Sequence, residues 1–377
     1  AFDKNLNYHT DVVLGFPGTH LDPEAYYSDE RSVLIESGWE SEEVTRSPFL
    51  RALIENPNHI GCHTLTQAET AFAGTQELEV EAIRLCAEQI MKGSPLAQDG
   101  YVAPGGTEAN IEALWIYRNQ LCRQENLNPS DVGVLFSSDT HYSIHKGINL
   151  LCLRSLQVPV GEETRAMSPE ALEAAISGAA AGGVRAFIAV LNMSTTMFGS
   201  VDDPVPVIQL LKKAGLPFRV HVDGAYGGFV YPFACPDHGL DFSNPDVSSI
   251  TMDAHKMLKA PYGTGLFLVR KGLMEAVCTN EARYVHGKDY TLCGSRSGAN
   301  AIAVWMLLRD FGSEGLQARA RRLLERTDDL CRRLSERKIK FFRHPRINMV
   351  AIKAQYVPPK VAAAYHLVPD SHYGAPA

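Results

Sequence analysis

Hydrophobic positions follow helical and strand spacings in alternation from about residue 77 onward. Residues 77–92 carry apolar side chains at Ile83, Cys86, Ala87 and Ile90, which indicates an amphipathic helix that Gly93 ends. Residues 184–191 form a continuous apolar run, typical of a strand buried on both faces of a sheet. Further strands are predicted at residues 101–103, 132–136, 218–222, 250–252 and 264–269, and further helices at 107–124, from 168 onward and at 204–215. This alternation predicts an α/β fold with a mainly parallel sheet between helices.

The pattern changes after residue 295. Two long helical stretches, at residues 299–311 and 316–337, precede a strand candidate at 348–352. We therefore predict a large domain at residues 77–295 and a smaller C-terminal α+β domain at residues 296–377, which we expect to be incomplete. Residues 1–76 have a weak pattern and several prolines and glycines, and we expect this N-terminal segment to wrap the core or a partner subunit.

Composition narrows the functional class. The chain has 377 residues, 45% of them hydrophobic, and a net charge of −7, so no broad cationic surface for nucleic acid or an anionic membrane is expected. No apolar run approaches the roughly 18 residues that a membrane span needs. The eight cysteines form no CxxC pair and no compact cluster with histidine, which is typical of reduced thiols in a cytoplasmic protein without a metal site.

Candidate chemistry lies where predicted strands end. Thr107, Thr196, Asp223 and Lys256 all stand at or just after a strand, and the carboxyl ends of parallel strands meet at one edge of a sheet. Gly105 and the two residues after it open a helix, and a helix N-terminus preceded by glycines binds anions such as phosphate. The spacing is neither that of a Walker loop nor GxGxxG, which disfavours ATP and dinucleotides.

A lysine and an acid at successive strand ends favour pyridoxal 5'-phosphate chemistry. Lys256 can hold an aldehyde cofactor as a Schiff base, and Asp223 can keep the pyridine nitrogen protonated. His141 can lie over the ring, a hydroxyl at Thr196 can bond its phenolic oxygen, and Ala225 is small enough to pack against it. Each position also has an ordinary interpretation, such as a surface lysine, a structural histidine or a hydroxyl bonded to the local backbone.

Together these motifs resemble the group II pyridoxal-phosphate-dependent amino-acid decarboxylases of the aspartate aminotransferase fold (fold type I). The resemblance is nearest to bacterial histidine decarboxylases and plant serine decarboxylases. The matching stretches, in family order, are GYVAPGGTEAN at residues 100–110, DTHYS at 139–143, TT at 195–196, HVDGA at 221–225, HKM at 255–257 and GSRSG at 294–298.

The resemblance implies a role for each matching residue. Lys256 is the Schiff-base lysine, and Asp223, His141, Thr196 and Ala225 surround the cofactor ring. Gly106, Thr107 and His255 lie at its phosphate. Tyr284 matches a tyrosine of the family's mobile loop, which is implied to protonate the substrate carbon, while Arg296 stays open between the cofactor site and a dimer interface.

The implied activity is decarboxylation of a small L-amino acid to its amine and carbon dioxide by a homodimer. The same residues also suit another carbon–carbon lyase, resembling sphingosine phosphate lyases, or a decarboxylation-dependent aldehyde synthase. A catalytically silent scaffold is the third alternative.

Overall fold

The computed structural model describes residues 73–278 and 288–368. Within them, seven strands form one sheet in the order β1-β7-β6-β5-β4-β2-β3. The strands are β1 Gln98–Ala103, β2 Val132–Ser137, β3 Arg154–Val158, β4 Ala186–Asn192, β5 Phe218–Gly224, β6 Val247–Asp253 and β7 Gly265–Arg270. Only β7 runs antiparallel to its two neighbours, β1 and β6, so the prediction of a mainly parallel sheet is confirmed.

Helices connect the strands and cover the sheet. They are α1 Ala73–Arg84, α2 Gly106–Glu125, α3 Tyr142–Leu150, α4 Pro169–Ala181, α5 Pro204–Ala214, α6 Tyr231–Ala234, α7 Gly298–Glu336 and α8 Pro359–Ala364. Two helix starts follow directly from sequence. Ser168 Oγ accepts from the Ala171 amide at 3.1 Å, and Asp203 Oδ1 accepts from the Val205 amide at 2.9 Å, each with proline at the first helical position.

The hydrophobic core lies on both faces of the sheet. In β4, Phe187, Ala189 and Leu191 belong to one buried cluster, whereas Ile188 and Val190 belong to the other. Every residue of β4 is buried. The alternation confirms that the continuous apolar run is a strand covered on two sides.

The C-terminal part differs from the prediction in two places. The two predicted helices form one element, α7, which bends where Gly312 adopts φ 57° and ψ −179°. Of the predicted strand at 348–352, only Ala351–Ile352 (β9) pairs, with Phe341–Phe342 (β8). The division into domains at residues 295 and 296 stays a prediction, and most of the predicted wrapping segment lies outside the described residues.

No helix among the described residues is long and apolar enough to cross a membrane.

Candidate active site

A cavity of about 520 Å³ opens at the carboxyl ends of the parallel strands. It is lined by every predicted cofactor residue, namely Gly106, Thr107, His141, Thr196, Asp223, Ala225, His255 and Lys256. They stand at or just after the carboxyl ends of β1, β2, β4, β5 and β6, so the expected meeting of strand ends is what forms the site. The predicted Tyr284 lies outside the described residues.

Asp223, at the end of β5, is held by a buried network of hydrogen bonds. Asn110 Nδ2 donates to Asp223 Oδ2 at 2.9 Å, and the Ala225 amide donates to Oδ1 at 3.1 Å. Asn110 Oδ1 lies 2.9 Å from His221 Nε2, whose other ring nitrogen lies 2.7 Å from Ser249 Oγ. The carboxylate is 6% exposed and has its orientation fixed from two sides.

His221 completes this network as a neutral ring. Burial lowers the pKa of His221 to about 4, although Asp223 acts in the opposite direction. Because Asn110 Oδ1 can only accept, the proton of the neutral ring lies on Nε2. Asn110 stands one helical turn after Gly106, so one short motif supplies both the turn that opens α2 and the amide that holds Asp223.

Lys256 lies on a π-helical turn, Ala254–Leu258, that directly follows β6. Its Nζ is 2.9 Å from Asp253 Oδ2, and its side chain is 37% exposed toward the cavity. Burial raises the pKa of Asp253, and the positive charge of Lys256 opposes that rise. His255 Nε2 lies 3.7 Å from the same carboxylate oxygen. Asp253 opens the motif Asp253-Ala254-His255-Lys256, but the sequence predicts no role for it, because nothing local distinguishes it from an ordinary strand-end acid.

The turn before α2 has the shape of an anion cradle. Gly105 adopts φ 156° and ψ 168°, a backbone conformation that residues with a side chain rarely adopt. Because Gly105 is the N-cap residue, no side chain at this position caps the first amides of α2. A Cβ at Gly106 would lie 2.9 Å from Asp253 Oδ2 and 3.2 Å from the Ala225 Cβ. The cradle therefore requires glycine, and the helix N-terminus gives it a partial positive charge that suits a phosphate.

His141 caps the start of α3 from the opposite wall. Its Nδ1 accepts from the Ser143 amide at 3.3 Å and lies 2.9 Å from Ser143 Oγ. Burial lowers the pKa of His141; Asp223 opposes this and Lys256 reinforces it. The ring is thus fixed in orientation and favours the neutral form, which suits stacking on a flat ligand.

Two neighbouring threonines in the loop after β4 have different surroundings. Thr195 Oγ1 lies 2.7 Å from Ser200 Oγ and accepts from the Ser200 amide at 3.1 Å, so it holds the loop. Thr196 is exposed and lines the cavity. Ser194 adopts φ 85° and is buried, and its hydroxyl has no hydrogen-bond partner among the described residues.

Arg296 does not line the cavity. It is buried and forms an ion pair with Glu79, donates to the Val102 carbonyl at 3.1 Å and lies over the Tyr101 ring. Glu79 also accepts from the Val102 amide at 2.7 Å. Arg296 therefore ties α1 to β1 and does not line the cavity, and its place at a dimer interface stays a prediction.

Comparisons with known proteins agree with this geometry. Residues 57–355 match the model of the pyridoxal-dependent decarboxylase conserved domain. A tryptophan decarboxylase of Clostridium sporogenes is 43% identical over 372 residues, which covers 99% of this chain and 87% of that protein. An L-aspartate/L-glutamate decarboxylase of Pyrococcus horikoshii is 32% identical over 301 residues, 75% of this chain and 71% of that protein.

Solved structures show the same fold at low identity. L-methionine decarboxylase from a Streptomyces species superposes with a TM-score of 0.71 at 18% identity, covering 96% of this chain and 91% of that one. A sphingosine-1-phosphate lyase of Burkholderia pseudomallei gives a TM-score of 0.65 at 20% identity, covering 88% of this chain and 79% of that one. The predicted aspartate-aminotransferase-like fold is confirmed.

Proposed function

The chain belongs to the pyridoxal-dependent decarboxylase family, with pyridoxal 5'-phosphate as its cofactor, and on this premise we propose that its substrate is a bulky, uncharged L-amino acid, tryptophan before others. The reaction class, decarboxylation of an amino acid, follows from the family. The observation that carries the substrate proposal is the 43% identity to a tryptophan decarboxylase over nearly the whole chain.

The lining of the cavity supports an uncharged side chain. Its volume of about 520 Å³ lies within the range of about 300–1,000 Å³ common for small-molecule sites. Apolar and aromatic side chains line it, including Ile111, Tyr226, Tyr262 and Leu292. Among the lysines and arginines of the described residues, Lys256 alone lines the cavity, and it is paired with Asp253. A substrate with a second carboxylate would need another cation.

The residues of the site divide the work of holding the cofactor. Lys256 would carry it covalently, and the first turn of α2, with Gly106 and Thr107, would hold its phosphate together with His255. Asp223 would face the ring nitrogen, kept in place by Asn110 and by the Ala225 amide. These groups fit because the cradle requires glycine and the carboxylate is fixed in orientation.

The remaining residues would hold the cofactor ring. When bound, the cofactor supplies a protonated ring that accepts the electron pair left by the departing carbon dioxide. His141 would cover one face of the ring and Ala225 would pack under the other, while Thr196 would bond its phenolic oxygen. The low exposure of Asp223 and its neighbours would exclude water from the ring nitrogen. Tyr284 stays the predicted proton donor to the substrate carbon, and the homodimer also stays a prediction.

Competition among substrates tests the proposal. Purified protein loaded with pyridoxal 5'-phosphate would be given an equimolar mixture of L-tryptophan, tyrosine, phenylalanine, methionine, histidine, serine, aspartate and glutamate, and the amines quantified by mass spectrometry. We expect tryptamine to form fastest. A dominant product from aspartate or glutamate would overturn the uncharged class. Histamine as the main product would instead support the histidine-decarboxylase-like specificity that the motifs predict.

Two lysine variants control this assay. Lys256→Ala should form no amine and retain no covalent cofactor. Lys271→Ala removes an exposed lysine that follows β7 at the opposite edge of the sheet, and it should behave like the unmodified protein. An aldehyde in place of the amine would support the aldehyde-synthase alternative.

A further inference from the structure

Asp253 contacts the very amine that the cofactor needs. The last residue of β6 is separated from Lys256 by one turn, and its Oδ2 lies 2.9 Å from Lys256 Nζ. The carboxyl side chain is 3% exposed, whereas the lysine side chain is 37% exposed. The ion pair therefore has one buried member and one member that reaches the cavity.

The same carboxyl group also borders the phosphate cradle. A Cβ at Gly106 would lie 2.9 Å from Asp253 Oδ2 and 3.1 Å from Oδ1, so both oxygens pack against the first residue of α2. Oδ1 is buried and has no hydrogen-bond partner among the residues that the structure describes. An ionised Asp253 next to a bound phosphate would bring two anions together in a poorly hydrated place.

Charges around Asp253 favour its taking up a proton once Lys256 is no longer an ammonium ion. Burial raises the pKa of Asp253, and among its neighbours Lys256 and His255 lower it while Asp223, from the end of β5, raises it. The carboxylates of Asp223 and Asp253 also raise the pKa of His141, the N-cap residue of α3. The largest opposing effect comes from the Lys256 charge, which is lost when the ammonium gives up a proton.

A lysine ammonium cannot attack an aldehyde, because its nitrogen has no free electron pair until a proton leaves. We propose that Asp253 is the internal base for cofactor capture: its Oδ2 accepts one proton from Lys256 Nζ. The neutral amine then forms a carbon–nitrogen bond with the aldehyde carbon, and the aldehyde oxygen leaves as water with the two remaining amine hydrogens. Asp253 keeps the first proton and faces the phosphate as a neutral acid. This inference rests on the proposed role of Lys256.

The rate of cofactor capture against pH tests the proposal. Cofactor-free protein would be mixed with pyridoxal 5'-phosphate from about pH 6 to about pH 8.5, below the usual lysine pKa of about 10.4, and capture followed by absorbance. Asp253→Asn keeps the size and a carbonyl oxygen for Lys256 but cannot accept the proton. Because both proteins share the titration of the free cofactor, the ratio of their rates isolates the internal base.

We expect the ratio of wild-type to Asp253→Asn rates to fall about tenfold for each unit of rising pH, because only the variant depends on solvent to deprotonate Lys256. A ratio that is constant across the range would overturn the proposal. Asp237→Asn is the matched control, since Asp237 is exposed and its carboxylate lies 3.5 Å from Lys92. That variant should show the wild-type profile.

Two further measurements keep the outcome clear. If Asp253→Asn does not fold, as judged by circular dichroism, the wild-type capture rate would be compared with that of a free alkylamine. We expect the reaction rate of the free alkylamine, divided by the capture rate of the wild type, to rise about tenfold per pH unit. Two rates that rise in parallel with pH would overturn the proposal. Borohydride reduction and peptide mapping would locate the cofactor. Attachment at another lysine overturns the proposed role of Lys256, whereas attachment at Lys256 with a constant ratio overturns only the role of Asp253.

Discussion

Asn110→Ala should destabilise the hydrogen-bond network around Asp223. The Asn110 side chain is 1% exposed and makes three hydrogen bonds, to Asp223, Ser143 and His221. A hydrogen bond to a charged group contributes about 1.5–3 kcal/mol and one to a neutral group about 0.5–1.5 kcal/mol. Alanine returns about 0.5–0.7 kcal/mol through its higher helix propensity. We expect the free energy of unfolding to fall by about 2–5 kcal/mol.

The same substitution should weaken cofactor binding, because Asp223 would lose one of the two groups that orient it. If restoring its orientation costs about 1.4 kcal/mol, the dissociation constant of pyridoxal 5'-phosphate rises about tenfold. Urea unfolding of the cofactor-free protein measures stability, and fluorescence titration measures affinity. Asn119→Ala, a partly buried position on the same helix, is the matched control. Equal stability and equal affinity in the two variants would refute the assigned role of Asn110.

Substitutions at three other sites, Ser194, the Arg296–Glu79 pair and His221, probe stability by urea unfolding. Ser194→Gly should raise the free energy of unfolding by about 1 kcal/mol, since it relieves the strained φ of 85° and removes a buried hydroxyl that has no partner among the described residues. Ser194→Ala removes the hydroxyl but keeps the strain, so it should raise the free energy of unfolding by less. Arg296→Met should lower the free energy of unfolding by about 3–5 kcal/mol by removing the buried cation that pairs with Glu79, and a further Glu79→Gln change should recover much of that loss. The pKa of His221 is about 4 in the folded protein, against 6.5 for a free imidazole. The stability that its neutral ring contributes is therefore complete above pH 6.5 and is lost as the pH falls toward 4. Relative to His221→Gln, the free energy of unfolding of the wild type should fall by up to about 1.4 kcal/mol per pH unit in that range. A pH-independent difference would contradict the last prediction.

The parts of the site that could be predicted from sequence are those that local order determines. The strands that feed the site are short apolar runs with a functional residue at or just after their carboxyl end, as Asp223 stands near the end of β5 and Ala225 follows it. Once the sheet is parallel, these residues must meet at one edge. For that reason the predicted cofactor residues line one cavity, although they come from five different strand ends.

The remaining features depend on contacts between distant segments. Arg296 pairs with Glu79, 217 positions away, and no local pattern indicates this partner. Asp253 and Asn110 gain their significance only when β6 and α2 lie side by side. The strand β3 was not predicted from the sequence, because it is a short edge strand whose half-exposed residues form no continuous apolar run.

The bond that is broken at the substrate carbon is the central point of the account. L-Tryptophan carrying deuterium at that carbon would be incubated with the cofactor-loaded protein, and the product analysed by mass spectrometry. Decarboxylation breaks only the bond to the carboxylate, so we expect tryptamine that retains the deuterium, formed in equal amount with carbon dioxide and absent with Lys256→Ala. Loss of the deuterium, or a keto acid or aldehyde in place of the amine, would contradict the account.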